Sequence, residues 1–144
     1  MRRIVFFILA ISAILCSCSD YDVKKADTKA NRNGFKTCFG FSPDSSVTGI
    51  YFFADEWGGD AKYWLAFSAP QTVIEKIIQK WELKPAVADW DTGTGGSGDQ
   101  FPWWNVEERR EADYYCYDNQ KKEILRQLWY NPKTKKCQAA LTYW

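Results

Sequence analysis

Val73, Ile74, Ile77, Ile78 and Trp81 recur at the spacing of one helix face, while Glu75, Lys76, Gln79 and Lys80 fill the other. Such a stripe buries nothing by itself, so it demands a partner surface of matching width. The segments around it alternate with period two, which makes a β-sheet the only partner large enough. Ser68 stands three residues before Gln71, the spacing of a capping box, with Pro70 in the first turn and Pro85 beyond the end. The spacing predicts one main helix over residues 69–82.

Strand signals flank it on both sides. "GFKTCFGFSPDSS" predicts a strand over 35–41 ended by a Pro-Asp-Ser turn. "VTGIYFFADEWGGD" predicts a second through Ile50, Tyr51, Phe52 and Phe53, joined by Gly58-Gly59 in a hairpin to a third. In that third strand Tyr63, Leu65 and Phe67 share one face, and Trp64 and Ala66 the other. The C-terminal third reads as a meander of "ADYYCYD", "EILRQLWY" and "KCQAALTYW". A loop over 131–134 would set Leu128 opposite Cys137 and Ile124 opposite Leu141. Ile124, Leu128, Cys137, Ala139 and Leu141 would then face the helix. Asn105, with Glu108 at the third position, predicts a capped helical turn before the meander. The expected fold is α+β, an antiparallel sheet of about six strands packed against the one main helix, as a single domain over residues 34–144.

The N-terminus carries a different message. Arg2 and Arg3 precede an apolar run from Ile4 to Leu15 broken only by Ser12. A membrane-spanning helix needs about 20 apolar residues, so this run fits the hydrophobic region of a secretory signal instead. Leu15-Cys16-Ser17-Cys18 resembles the lipobox of bacterial lipoproteins. The resemblance implies a signal peptide over 1–17, cleavage before Cys18, a lipidated Cys18, and a membrane as partner through several acyl chains. With Ser19 rather than Asp following, it further implies the outer membrane of a cell envelope. The polar stretch 18–33 reads as a flexible tether. The Trp103-Trp104 pair and the terminal "YNPKTKK" also resemble small bacterial envelope lipoproteins of α+β type, a likeness that implies no activity.

Charge and composition exclude several functions. The chain has a formal net charge of +1, which becomes −1 once Arg2 and Arg3 leave with the signal, and no basic stripe, so nucleic acid is not an expected partner. With no histidine, the commonest general base, Cys-His and Ser-His pairs and His-based zinc sites are all absent. Beyond the lipobox the cysteines are Cys38, Cys116 and Cys137. Cys116 and Cys137 are expected on one sheet face but on non-adjacent strands, too far apart to bridge. Any disulfide would therefore involve Cys38, and equally all three fit as small buried apolar side chains.

The stretch "DWDTGTGGSGDQFPWW", residues 89–104, gathers the remaining motifs. Gly93, Gly95 and Gly98 match G-x-G-x-x-G, but Pro102 follows where a dinucleotide site needs a helix N-terminus. Asp89 and Asp91 fit the start of a calcium loop, yet Gly93, Thr94 and Gln100 break its pattern, leaving Asp89, Asp91 and Asp99 as the only oxygens for a metal. Neither metal nor cofactor is expected. Trp90, Trp103 and Trp104 flank the glycine loop and Trp57 closes the opposite hairpin; these four are the expected binding residues, with one of the tandem pair buried and one exposed. The expected function is a non-enzymatic, membrane-tethered binding module for a protein partner, of an inhibitor or immunity type. The alternatives are glycan or peptidoglycan binding on the same rings, or a small hydrolase using Asp89 and Asp91 or Asp55 and Glu56.

Overall fold

The computed structural model describes residues 22–88 and 101–144. Six antiparallel strands form one sheet: β1 (Thr48–Trp57), β2 (Asp60–Ser68), β3 (Lys84–Pro85), β4 (Asp113–Asn119), β5 (Ile124–Asn131) and β6 (Lys136–Tyr143), in the order β1-β2-β6-β5-β4-β3. Helices α1 (Lys29–Phe39) and α2 (Gln71–Trp81) lie on one face, and a short α3 (Val106–Arg110) belongs to a segment lying over the other. This is the α+β sheet-on-helix architecture that the residue patterns predict, with α2 as the expected main helix.

The sheet is closed on both sides. Phe35, Phe39, Ile74, Ile77 and Trp81 from α1 and α2 meet Phe52, Leu65, Leu128 and Leu141 in the larger core. Trp64, Trp129 and Ala140 on the opposite face pack with Trp104, Phe101 and Trp103. Consequently β2, β5 and β6 carry unbroken buried runs, 64–67, 127–130 and 137–141, instead of alternating ones. The helix-facing set of Ile124, Leu128, Cys137, Ala139 and Leu141 is as the alternation predicts. Its register differs by two residues, because the tight turn spans 132–135 and pairs Leu128 with Ala139 and Tyr130 with Cys137. A two-residue slip keeps each side chain on its face.

The largest difference lies before β1. Residues 35–39, expected in a strand, end helix α1, and 29–33, expected in the tether, begin it. Thr28 caps the helix by accepting Asn31 N–H at 3.1 Å, and Gly40 closes it with φ of 70°. Buried Asn31, Phe35 and Phe39 recur every four residues, which is helical spacing. Nor do residues 22–28 hang free. The Asn31 side-chain amide donates to the carbonyls of Asp22, Lys25 and Ile50 at 3.0, 2.9 and 3.1 Å, and its oxygen accepts Asp22 N–H. Asp27, at φ 59°, accepts the N–H groups of Gly49 and Ile50 and pairs with Arg32 at 3.1 Å. Residues 22–33, expected in the tether, are therefore part of the fold alongside the domain expected over 34–144.

Smaller corrections follow the same logic. Ser68 is the last residue of β2, and Pro70 occupies the N-cap of α2 without any side-chain cap, so no capping box forms. The helix ends on Glu82 in the left-handed conformation, ahead of Pro85, which joins β3. Asn105 does cap α3, accepting from Glu107 and Glu108 N–H. Cys116 and Cys137 lie on opposite faces, since Cys116 aligns with Gln127 and Ala140 whereas Cys137 sits in the larger core. Cys38, Cys116 and Cys137 are all free thiols.

Gly34 offers a test of the α1 assignment. A methyl group there would collide with the ring of Phe52, whereas alanine normally favours a helix over glycine by about 1 kcal/mol. Overpacking costs of about 1–3 kcal/mol exceed that gain. Gly34→Ala is expected to lower the urea midpoint; a raised midpoint would contradict the packing of α1 on β1.

Candidate functional site

The tandem tryptophans are both committed to the fold. Trp103 is sandwiched between Phe101 (centroids 5.0 Å apart, planes 4° off parallel) and Tyr51 (5.6 Å, 8°), and its indole N–H donates to Val23 O at 2.9 Å. A stacking platform needs an open ring face, and both faces of Trp103 are taken. Trp104 is only 4 % exposed and stands edge-on to Trp129 at 5.8 Å. The buried Arg109 guanidinium lies 4.6 Å from the Trp104 ring and 5.3 Å from that of Trp129. Of the pair, Trp104 is buried and Trp103 half-buried, and both rings pack against the fold. Trp90 lies outside the described residues, as do Cys18, Asp89, Asp91 and Asp99.

Trp57 is the opposite case. It ends β1 against a two-residue Gly58-Gly59 turn, in which Gly58 has φ of 64° and only glycine is unstrained. Its ring is 86 % exposed. Two aromatic residues missed in the sequence share this end. Tyr143, the last residue of β6, pairs across β2 with Ala61, one residue from Asp60, the partner of Trp57. Trp144 follows, held by its N–H to Glu123 O at 3.1 Å. Tyr143 and Trp144 are 38 % and 43 % exposed. Two strand spacings separate β1 from β6, so the tryptophans sit about 10 Å apart across the sheet end.

Polar groups frame the patch. Tyr63 donates its hydroxyl to Glu56 at 2.6 Å and meets Tyr143 edge-on at 6.4 Å. Burial first, and then the Glu56 bond, push the Tyr63 hydroxyl well above its usual range, so it stays a donor. Asp55 and Glu56 are neighbours in β1, and successive strand residues point to opposite faces. They cannot close on one substrate, which removes the geometry a two-carboxylate hydrolase needs. Among the described residues no group of three or more His, Cys, Asp or Glu side chains could hold a metal. None of their helices is long and apolar enough to cross a membrane.

Comparison with protein families, curated proteins and solved structures finds no match to this chain. Its site is therefore defined by geometry alone.

The two kinds of tryptophan part on substitution. Trp104→Ala removes a buried ring and is expected to cost about 3–5 kcal/mol, whereas Trp57→Ala is expected to change stability by no more than about 0.5 kcal/mol, both by urea denaturation. A second contrast concerns the thiols. Burial pushes Cys38 up to about 12 and holds Cys137 well above its ordinary value, so neither forms a thiolate at pH 8. Because folding raises these values, their contribution to stability is intact below pH 9 and falls as pH rises toward 12. Iodoacetamide at pH 8 is expected to leave Cys38 and Cys137 unmodified in the native chain and alkylate both in denaturant, as mass spectrometry of the peptides will show.

Proposed function

We propose that this chain is a lipid-anchored protein of a bacterial envelope, and that its folded domain is a non-enzymatic module binding a protein partner through Trp57, Tyr143 and Trp144. The observation that carries the binding reading is Trp57 itself: a large ring, 86 % exposed, at the tip of a tight two-residue hairpin. Tryptophan and tyrosine dominate binding energy at protein interfaces, because each brings a large area with few rotatable bonds to freeze. Tyr143 and Trp144 end β6 at the same level of the sheet, with Tyr143 on the face of Glu56 and Tyr63 and Trp57 on the opposite face, so the aromatic rings wrap the strand ends beside Asp60 and Glu56. The lipobox-like Leu15-Cys18 stretch supports the anchor, and Ser19 supports the outer membrane. The opposed faces of Asp55 and Glu56 weigh against catalysis by that pair.

A glycan could stack on the same open face of Trp57, and the test separates the two readings. A photo-crosslinking phenylalanine analogue at position 57 in cells is expected to trap a protein adduct. The same analogue at exposed Val87 is expected to trap none. A glycan-only adduct at 57 would select peptidoglycan or another oligosaccharide as the ligand. Equal capture at 57 and 87, or none at 57, would remove Trp57 from any interface.

A further inference from the structure

We propose that the end of the domain opposite Trp57 seats directly on the phospholipid surface, with Tyr51, Pro102 and Trp103 at the bilayer interface and Lys24, Lys25 and Lys29 around them. This rests on the lipid-anchor reading and adds an orientation to it. The clamp by Asn31 and Asp27 holds the chain from Asp22 onward against the start of β1. Between Cys18 and Asp22 lie four residue steps, which span at most about 14 Å when fully extended. An acylated Cys18 thus leaves the domain no room to hang away from the membrane.

What lies beside Asp22 suits that position. Val23, Lys24, Tyr51, Pro102 and Trp103 line a shallow open groove, of about 390 Å³, at this end of the sheet. Tryptophan and tyrosine favour the boundary between lipid and water, where an apolar ring and a polar edge are both satisfied. Here the Trp103 N–H is already bonded to Val23 O, so the ring offers only its apolar periphery. Lys24, Lys25 and Lys29 are exposed. The acids on the same segment are engaged: Asp22 accepts the backbone N–H groups of Lys24 and Lys25, and Asp27 is bonded by Gly49, Ile50 and Arg32. Exposed Asp44, hydrogen-bonded by Ser46, is the nearest acid on the α1–β1 connection. Lys133 and Lys135 in the β5–β6 turn add charge at this end, while Glu111 and Asp113 lie beside β4, four strands from β1. The lysines attract the anionic headgroups of a phospholipid leaflet. Trp57 stands seven residues further along β1 than Ile50, about 23 Å away, and so faces outward from the membrane.

The test uses the full chain, processed in cells and reconstituted into vesicles of phosphatidylethanolamine and phosphatidylglycerol. A nitroxide is placed at Lys24→Cys or at Trp57→Cys, each in a Cys116→Ser background. At position 24 the label is expected to become several-fold less accessible to a water-soluble nickel relaxant on the vesicles and more accessible to oxygen, with position 57 unchanged. Lys25→Glu/Lys29→Glu is expected to reverse part of the shielding. Equal water access at 24 and 57, in protein that still floats with the vesicles and carries acyl chains by mass, would overturn the seat and leave the anchor standing. Unacylated protein that stays in the aqueous phase would overturn the anchor, and the seat with it.

Discussion

The middle stretches of strands β2, β5 and β6 have no face left for water, and the remainder of the structure follows from that. A strand buried on both sides needs two covers, and this chain makes them from separate stretches. Helices α1 and α2, from before and after the first hairpin, close one side. The segment from Phe101 to Ala112 closes the other with Trp104 and Phe101, and with the Arg109 guanidinium over the Trp104 and Trp129 rings. The aromatic excess is explained here: in a small domain, large rings supply area that a longer chain would obtain from more residues.

The second dependency is the seam between the N-terminal segment and β1. Asn31, fully buried, satisfies three carbonyls and one N–H of backbone that has no sheet partner of its own. Trp103 closes the same seam from the far cover, reaching Val23 O across eighty residues of sequence. Adjacent tryptophans therefore do different work. Trp104 fills the core against Trp129, and Trp103 ties the chain entry to β1 through Tyr51.

The fold class, α2, the first hairpin and the facing of β5 and β6 are legible because periodicity reports burial directly. Helix α1 is not. Phe35, Phe39 and Phe41 suit a strand as well as a helix, and Asn33-Gly34 reads locally as a turn. Gly34 is helical because the Phe52 ring packs where a side chain would stand, a long-range contact no local pattern carries. The β5–β6 register slipped by two for want of an exact loop boundary, harmlessly for facing. The site was harder still. A tandem Trp beside glycines signals exposure only until Phe101 and Tyr51 are placed on either side of it. Tyr143 and Trp144 read as the continuation of the last strand, whereas Tyr143 pairs with Ala61 and Ile124 at the very start of β2 and β5, where the cover from the helices ends.

The clamp at Asp22–Asp27 and the terminus at Trp144 lie at opposite ends of the sheet, since β1 and β6 run in the same direction. Tension between the chain entry and a partner gripping the aromatic end would pull along the strands, not across them. The β1–β2 and β2–β6 ladders would then be loaded in shear, every hydrogen bond resisting together, where a transverse pull would open them one by one. With its ends placed so, the domain would act as a stiff mechanical link between a membrane anchor and a partner.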